Sequence, residues 1–129
     1  MGSSRFPGKP LAKINGKPMI QHVYNNVKKN KLLSDVVVAT CDKIIFDFVK
    51  SIKGVAVMTS KKHKRATDRC SEALNIIELK EKYKYDLVTM VQGDEPLVNN
   101  KMIQQSISPF KNKSINIVNL MGKISRKEY

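Results

Sequence analysis

The sequence predicts an α/β fold, namely a doubly wound, mostly parallel sheet with helices on both of its faces. Two observations lead to this class. Short apolar runs alternate along the chain with segments in which apolar residues recur every three or four positions. Turn and cap residues separate these segments. Such alternation is typical of βαβ units, whose crossovers are right-handed.

The strands are predicted from the apolar runs, which suit strands buried on both faces. They lie at Val36–Ala39, Val55–Met58, Leu87–Val91 and Ile115–Met121. The helices are predicted from apolar spacing and from their end signals. They cover Pro18–Lys31, Ile44–Ile52 with Gly54 as its stop, a segment through Ile77 capped by Thr67, and a segment through Ile107 capped by Asn99 and ended by Pro109.

Length and composition favour a single globular domain. The chain has 129 residues, of which 41% are hydrophobic, enough for a sizeable core. We therefore expect residues 1–129 to form one domain. No apolar run approaches the roughly 20 residues that span a bilayer, and no signal peptide is evident, so a cytoplasmic protein is expected. The cysteines, Cys41 and Cys70, lack metal-ligand spacing and are expected to be reduced.

The net charge of +13 indicates attraction to anions such as nucleotides, phosphorylated substrates or nucleic acid. Most of the basic residues are lysines scattered along the chain, and only Lys61–Arg65 forms a dense run. Lysine is a solvated point charge without the planar fork of arginine. The run is therefore interpreted as a solvated loop rather than a binding site.

Unusual polar residues fall where parallel strands are predicted to end, which is where open α/β sheets bind ligands. The opening loop carries Arg5 and Lys9, and Arg69 follows the second strand. The third strand leads into Gln92-Gly-Asp-Glu-Pro96. Cations neutralise phosphate oxygens, and carboxylates hold Mg²⁺ that bridges phosphates. These loops predict a nucleotide site for phosphoryl-type or nucleotidyl-type transfer.

Two long motifs carry a family resemblance. The stretch SSRFPGKPLAKINGKPMI and the stretch VQGDEPLV resemble the two signatures of the cytidylyltransferases that activate Kdo, 3-deoxy-manno-octulosonate. The stretches VVVAT and HKRATDR lie between them in the order of that family. The chain is thus identified as similar to the CMP-Kdo synthetase family over nearly its whole length. The resemblance implies a doubly wound fold, a homodimer, and transfer of a cytidylyl group from CTP to Kdo with Mg²⁺ for lipopolysaccharide synthesis.

The resemblance also implies roles for particular residues. Asp94 matches a catalytic residue that binds Mg²⁺, and Gln92 lies where the family contacts its substrate. Arg5 and Lys9 match catalytic residues of the phosphate loop, which would release pyrophosphate as the anomeric hydroxyl attacks the α-phosphorus. The nucleotide-binding set implied by the match is Ser3, Ser4, Arg5, Lys9 and Arg69.

The sequence departs from the family pattern at several points. Arg65 and Ala66 stand where the family usually has Ser and Gly, which leaves another acidic sugar open as the substrate. The family also has a strand and an Ile-Pro-Ala-Arg segment before the position of Ser3 and continues past Tyr129. The chain thus resembles an N-terminally and C-terminally truncated member, and we expect it not to turn over CTP and Kdo alone.

Two alternatives remain beside this interpretation. One is an inactive fragment of the enzyme. The other is a non-catalytic module that binds phosphate or nucleic acid, which the net charge favours. Nucleic acid and membrane are not expected as partners, because no aromatic residues are interleaved with the basic run to stack bases and no apolar span is present.

Overall fold

A computed structural model describes residues 8–122 of the chain. The strands are β1 and β2, which form a short antiparallel hairpin, and β3 and β4, which form a parallel pair. Their bounds are Lys13–Ile14, Lys17–Pro18, Val37–Thr40 and Val55–Met58. The helices α1 to α4 cover Met19–Lys28, Lys43–Ser51, Ala66–Glu81 and Asn100–Ile107, and single 3₁₀ turns cover Lys9–Leu11 and Ser108–Lys111.

The predicted second strand and the cap of the last helix are confirmed. The strand β4 covers Val55–Met58, and the Asn99 side chain accepts a hydrogen bond from the Met102 N–H. The first predicted strand is shifted by one residue, to Val37–Thr40. The prediction of Thr67 as a cap was wrong, because α3 begins at Ala66 and the extended residue before it is Arg65.

The hairpin of β1 and β2 was not predicted, although its turn carries a strong signal. Asn15 and Gly16 connect the strands, and both have positive φ, at 48° and 77°. The Asn-Gly pair is typical of tight hairpin turns that need φ > 0 at both central positions. The hairpin is braced by α1, since the ring nitrogen Nε2 of His22 lies 2.8 Å from the carbonyl oxygen of Ile14. This contact gives His22 a structural role.

The predicted strand at Leu87–Val91 was wrong as a hydrogen-bonded strand. This segment and β3 both line a cavity of about 520 Å³, and no strand pairing joins them within the part of the chain that the structure describes. Val88 and Met90 remain 48% and 41% exposed. A strand needs a neighbour for its backbone groups, and the cavity lies where that neighbour would pair.

The predicted fourth strand at Ile115–Met121 was also wrong. The segment has no regular structure, and Ile117 and Met121 are 80% and 93% exposed. An apolar run without a sheet edge to join forms no ladder, whatever its β-propensity.

Two hydrophobic clusters hold the elements together. In the first, Val23 and Val27 of α1 pack with Ile103 of α4. In the second, Ile45 and Val49 of α2 pack with Ala56 of β4. The second cluster holds α2 against the parallel pair and thereby aligns the carboxyl ends of β3 and β4. Among residues 8–122, no helix is both long and apolar enough to cross a membrane.

Replacing Gly54 with Ala is expected to lower the free energy of unfolding by about 1–3 kcal/mol. A Cβ at this position would lie 2.7 Å from Cγ1 and 2.9 Å from the carbonyl oxygen of Val49. That carbonyl accepts the Gly54 N–H at 2.8 Å, so the clash also strains the stop of α2. Urea denaturation measures the change. The matched control is Gly122→Ala, where a Cβ meets open space, and an equal loss in both variants would contradict the packing argument.

Candidate active site

The centre of the candidate site is an ion pair between two distant loops. The Nζ of Lys9 donates a hydrogen bond to Oδ2 of Asp94 at 2.7 Å, although the residues are 85 positions apart. Both side chains are a little over one third exposed, so solvent and ligands can reach them. The ammonium group holds the pKa of Asp94 below its ordinary value, and the carboxylate is therefore ionised at neutral pH.

Local structure explains how each partner is presented. Gly8 takes φ of 75° and starts the 3₁₀ turn that carries Lys9. On the other side, the turn at Gln92–Glu95 is anchored by α1. A Cβ at Gly93 would lie 3.1 Å from Ile20, and the Asn26 amide donates to the Pro96 carbonyl at 3.0 Å. The acidic turn is thus packed and hydrogen-bonded to α1, which keeps Asp94 in reach of Lys9.

Arg69 and Gln92 lie on the cavity beside this pair. Both line the space of about 520 Å³ that β3 also lines, together with Gly93. Gln92 is exposed, whereas Arg69 is buried with 6% of its surface accessible. The structure therefore brings Lys9 to Asp94 and Arg69 to the cavity that Gln92 lines. Residues 92–94 connect the Lys9–Asp94 ion pair to the lining of the cavity.

The guanidinium of Arg69 is engaged with the segment after β4. Its NH1 donates to the hydroxyl oxygen of Thr59 and, at 3.2 Å, to the carbonyl oxygen of Ser60. Ser60 also donates its N–H to Glu72 at 2.8 Å. Sequence reasoning missed Glu72. Its signal was the spacing of three from Arg69, which places both side chains on one face of a helix.

Other predicted features lie where the sequence analysis put them, or outside the described residues. The lysine and arginine side chains of the basic run at Lys61–Arg65 are exposed, as expected for a solvated loop. Cys41 and Cys70 are free, and burial raises the pKa of the Cys70 thiol. The predicted phosphate ligands Ser3, Ser4 and Arg5 lie outside residues 8–122, and their roles stay predictions.

The fold and the placement of polar groups define the class of this protein. Parallel βα units with cations and a carboxylate at one edge are the framework of the nucleotide-diphospho-sugar transferase type. A family described as cytidylyltransferase matches residues 1–129. The chain belongs to the cytidylyltransferase family, and the resemblance inferred from the motifs is confirmed.

Similar proteins extend this assignment. A 3-deoxy-manno-octulosonate cytidylyltransferase of Thermodesulfovibrio yellowstonii is 45% identical over 98% of this chain and 51% of its own length. An 8-amino-3,8-dideoxy-manno-octulosonate cytidylyltransferase of a Shewanella species is 50% identical over 85% of this chain and 44% of its own. The chain thus spans about half the length of the curated relatives it matches.

A solved structure supports the fold. It is the structure of a CMP:2-keto-3-deoxy-manno-octonic acid synthetase complexed with CTP, with a TM-score of 0.74 and 36% identity. The match covers 88% of this chain and 44% of that one. The predicted fold class is therefore confirmed, even though two of the four predicted strands form no ladder here.

Proposed function

We propose that residues 1–129 are part of one nucleotidyltransferase domain that transfers a cytidylyl group from CTP to Kdo and releases pyrophosphate. The observation that carries the proposal is the contact of Lys9 with Asp94. Each belongs to one of the two signature motifs, and the fold joins them across 85 positions. The relatives, named for this chemistry, support the same interpretation.

Charge complementarity explains what the site residues do in this reaction. The anomeric hydroxyl oxygen bonds to the α-phosphorus while the bond from that phosphorus to pyrophosphate breaks. Negative charge grows on the leaving phosphates, and Lys9, with Arg5, would lie beside them. The protein supplies position and charge and forms no covalent intermediate. Gln92 would contact the substrate, and Arg69 would support the nucleotide site.

The residues present are compatible with Mg²⁺ as a bridging ion. No cluster of three metal-ligating side chains occurs between positions 8 and 122. Mg²⁺ in such sites takes only one or two carboxylates and completes its shell with waters and substrate phosphates. Asp94 is ionised and accessible, which fits a donor set with one carboxylate. When bound, the ion would offset the phosphate charge, and Asp94 is the residue that would hold it.

The sugar is the finer part of the proposal. Kdo is supported by the relative of Thermodesulfovibrio yellowstonii, while the Shewanella relative at 50% identity is named for the 8-amino analogue. The two sugars differ at a single carbon, where a hydroxyl is replaced by an amine. Competition between them for the protein, measured with CTP bound, distinguishes the two substrates.

The Lys9→Ala variant of the full chain is expected to bind CTP about tenfold more weakly than the wild type. The reason is the loss of a charge-assisted contact to the phosphates. Inorganic triphosphate should lose affinity by the same factor, because the contact involves no base or sugar. Isothermal titration with CTP and with triphosphate measures both.

The matched control for this experiment is Lys113→Ala. Lys113 is exposed, and its removal lowers the net charge by the same amount. Equal weakening in the two variants would mean that the basic surface, rather than Lys9, attracts the nucleotide. Strong salt-dependent binding of random DNA by the wild type would favour the non-catalytic module instead.

A further inference from the structure

The segment 59–63, which follows β4, is held in place by several polar contacts. Its first residue, Thr59, donates its N–H to the Thr40 carbonyl at 2.9 Å and so continues the pairing of β3 with β4. Within the segment, the Lys62 N–H binds the Ser60 hydroxyl at 3.1 Å. The backbone here is therefore ordered by the sheet on one side and by its own turn on the other.

Helix α3 engages both peptide groups of Ser60. Glu72 Oε2 accepts the Ser60 N–H at 2.8 Å, and Arg69 NH1 donates to the Ser60 carbonyl at 3.2 Å. The two side chains are three positions apart on α3 and lie on one face. Their opposite charges match the donor and the acceptor of the same residue. This reciprocal arrangement fixes the position and the orientation of Ser60 relative to α3.

Glu72 also reaches His63. The Nε2 of His63 lies within hydrogen-bond distance of the same carboxylate oxygen that accepts the Ser60 N–H. The Ser60 N–H and His63 both favour the ionised form and hold the pKa of Glu72 below its ordinary value. The groups that face this carboxylate are thus Ser60, His63 and Arg69, all of which attract it.

We propose that Glu72 is a positioning residue of the nucleotide site. It fixes the segment 59–63, and this segment in turn binds the guanidinium of Arg69 at the carboxyl end of β4. Glu72 is not proposed to contact a ligand. It positions the segment through its contacts with the Ser60 N–H and the His63 ring. The inference rests on the proposed function, since it takes the loop after β4, to which Arg69 is bonded, as part of the nucleotide site.

A second glutamate on α3 provides a matched control. Glu78 accepts the Tyr85 N–H at 3.1 Å and forms an ion pair with Lys84. It therefore anchors the loop at the other end of the same helix by the same chemistry, two turns away from Glu72. If anchoring of α3 in general supported nucleotide binding, the two glutamates would be equally important.

The test combines amide hydrogen exchange with CTP titration on the full chain. In Glu72→Ala we expect exchange at the Ser60 amide to rise at least about tenfold and CTP binding to weaken about tenfold. Glu72→Gln keeps an oxygen that accepts the Ser60 N–H, so we expect it to restore the protection and most of the affinity. Glu78→Ala should leave both readouts as in the wild type.

Several results would overturn the proposal. One is a Glu72→Ala variant that exchanges faster at Ser60 yet binds CTP with wild-type affinity. Another is an equal loss of affinity in Glu78→Ala. If the wild-type chain bound no CTP, the proposed function would fail and the nucleotide role of Glu72 with it. Hydrogen exchange at the Ser60 amide would then still test whether Glu72 anchors the segment 59–63. Failure of the proposed function and failure of the anchoring can therefore be told apart.

Discussion

Replacing Asp94 with Asn is expected to abolish the dependence of CTP binding on Mg²⁺ and to strengthen binding when metal is absent. In the structure, Lys9 is neutralised by Asp94 at 2.7 Å. Asparagine is a poor ligand for Mg²⁺ and carries no charge, so the ammonium group becomes available to the triphosphate. In EDTA we expect the variant to bind CTP about three- to tenfold more tightly than the wild type does. Adding Mg²⁺ should not increase the affinity of the variant further.

The variant is expected to gain affinity without metal but not with it, because the partner of Lys9 differs between the two conditions. A triphosphate that approaches without metal meets a carboxylate that repels it and a lysine that is already paired. If Asp94 held Mg²⁺, the ion would offset the charge of the carboxylate and leave Lys9 free to contact the phosphates. On this hypothesis, nucleotide and metal binding would depend on each other.

Titrations of CTP in EDTA and in Mg²⁺ measure the effect, with Glu95→Gln as the control. Glu95 is the next residue and is exposed, so its replacement changes the local charge equally. A shift of the same size in Glu95→Gln would assign the effect to the general field of the acidic turn. Unchanged Mg²⁺ dependence in Asp94→Asn would mean that Asp94 is not the metal ligand.

The sequence predicted those parts of the fold that depend on local chemistry. The Asn99 cap needs only its own side chain and an N–H three residues later, and it forms as expected. Asn15-Gly16 is equally local, and the hairpin it forms was not predicted although its signal was present. The segment Leu87–Val91 has the composition of a strand, but a ladder depends on a partner elsewhere in the chain. Composition carries no information about that partner.

The same distinction applies to the candidate site. The meeting of Lys9 and Asp94 was expected from the rule that loops after parallel strands gather at one edge of a sheet, and they meet although the segment before Asp94 forms no ladder. The burial of Arg69 was not predictable. Its partners are a hydroxyl and a backbone carbonyl in a loop without a sequence signature. The role of Arg69 in nucleotide binding stays a prediction, and the structure adds that its guanidinium bonds the loop after β4.

Replacing Arg69 with Met is expected to lower the free energy of unfolding by about 2–3 kcal/mol and to weaken CTP binding more than tenfold. Methionine fills similar volume but leaves the Thr59 hydroxyl and the Ser60 carbonyl without their charged donor. Arg69 is 6% exposed, so water replaces that donor poorly. Arg69→Lys should recover part of the stability, since a single ammonium cannot reproduce the planar guanidinium geometry at both acceptors.

Urea denaturation and CTP titration on the same variants separate the two roles of Arg69. The control is Arg65→Met, which removes an exposed arginine just before α3 and should change neither quantity by much. Loss of CTP binding with wild-type stability would mean that Arg69 contacts the nucleotide directly and that its bonds to the loop contribute little. If Arg69 acts through the segment 59–63, the free energy of unfolding and the affinity for CTP should fall together in Arg69→Met and recover in part in Arg69→Lys. The reason is that the site then forms only while that segment is held in place.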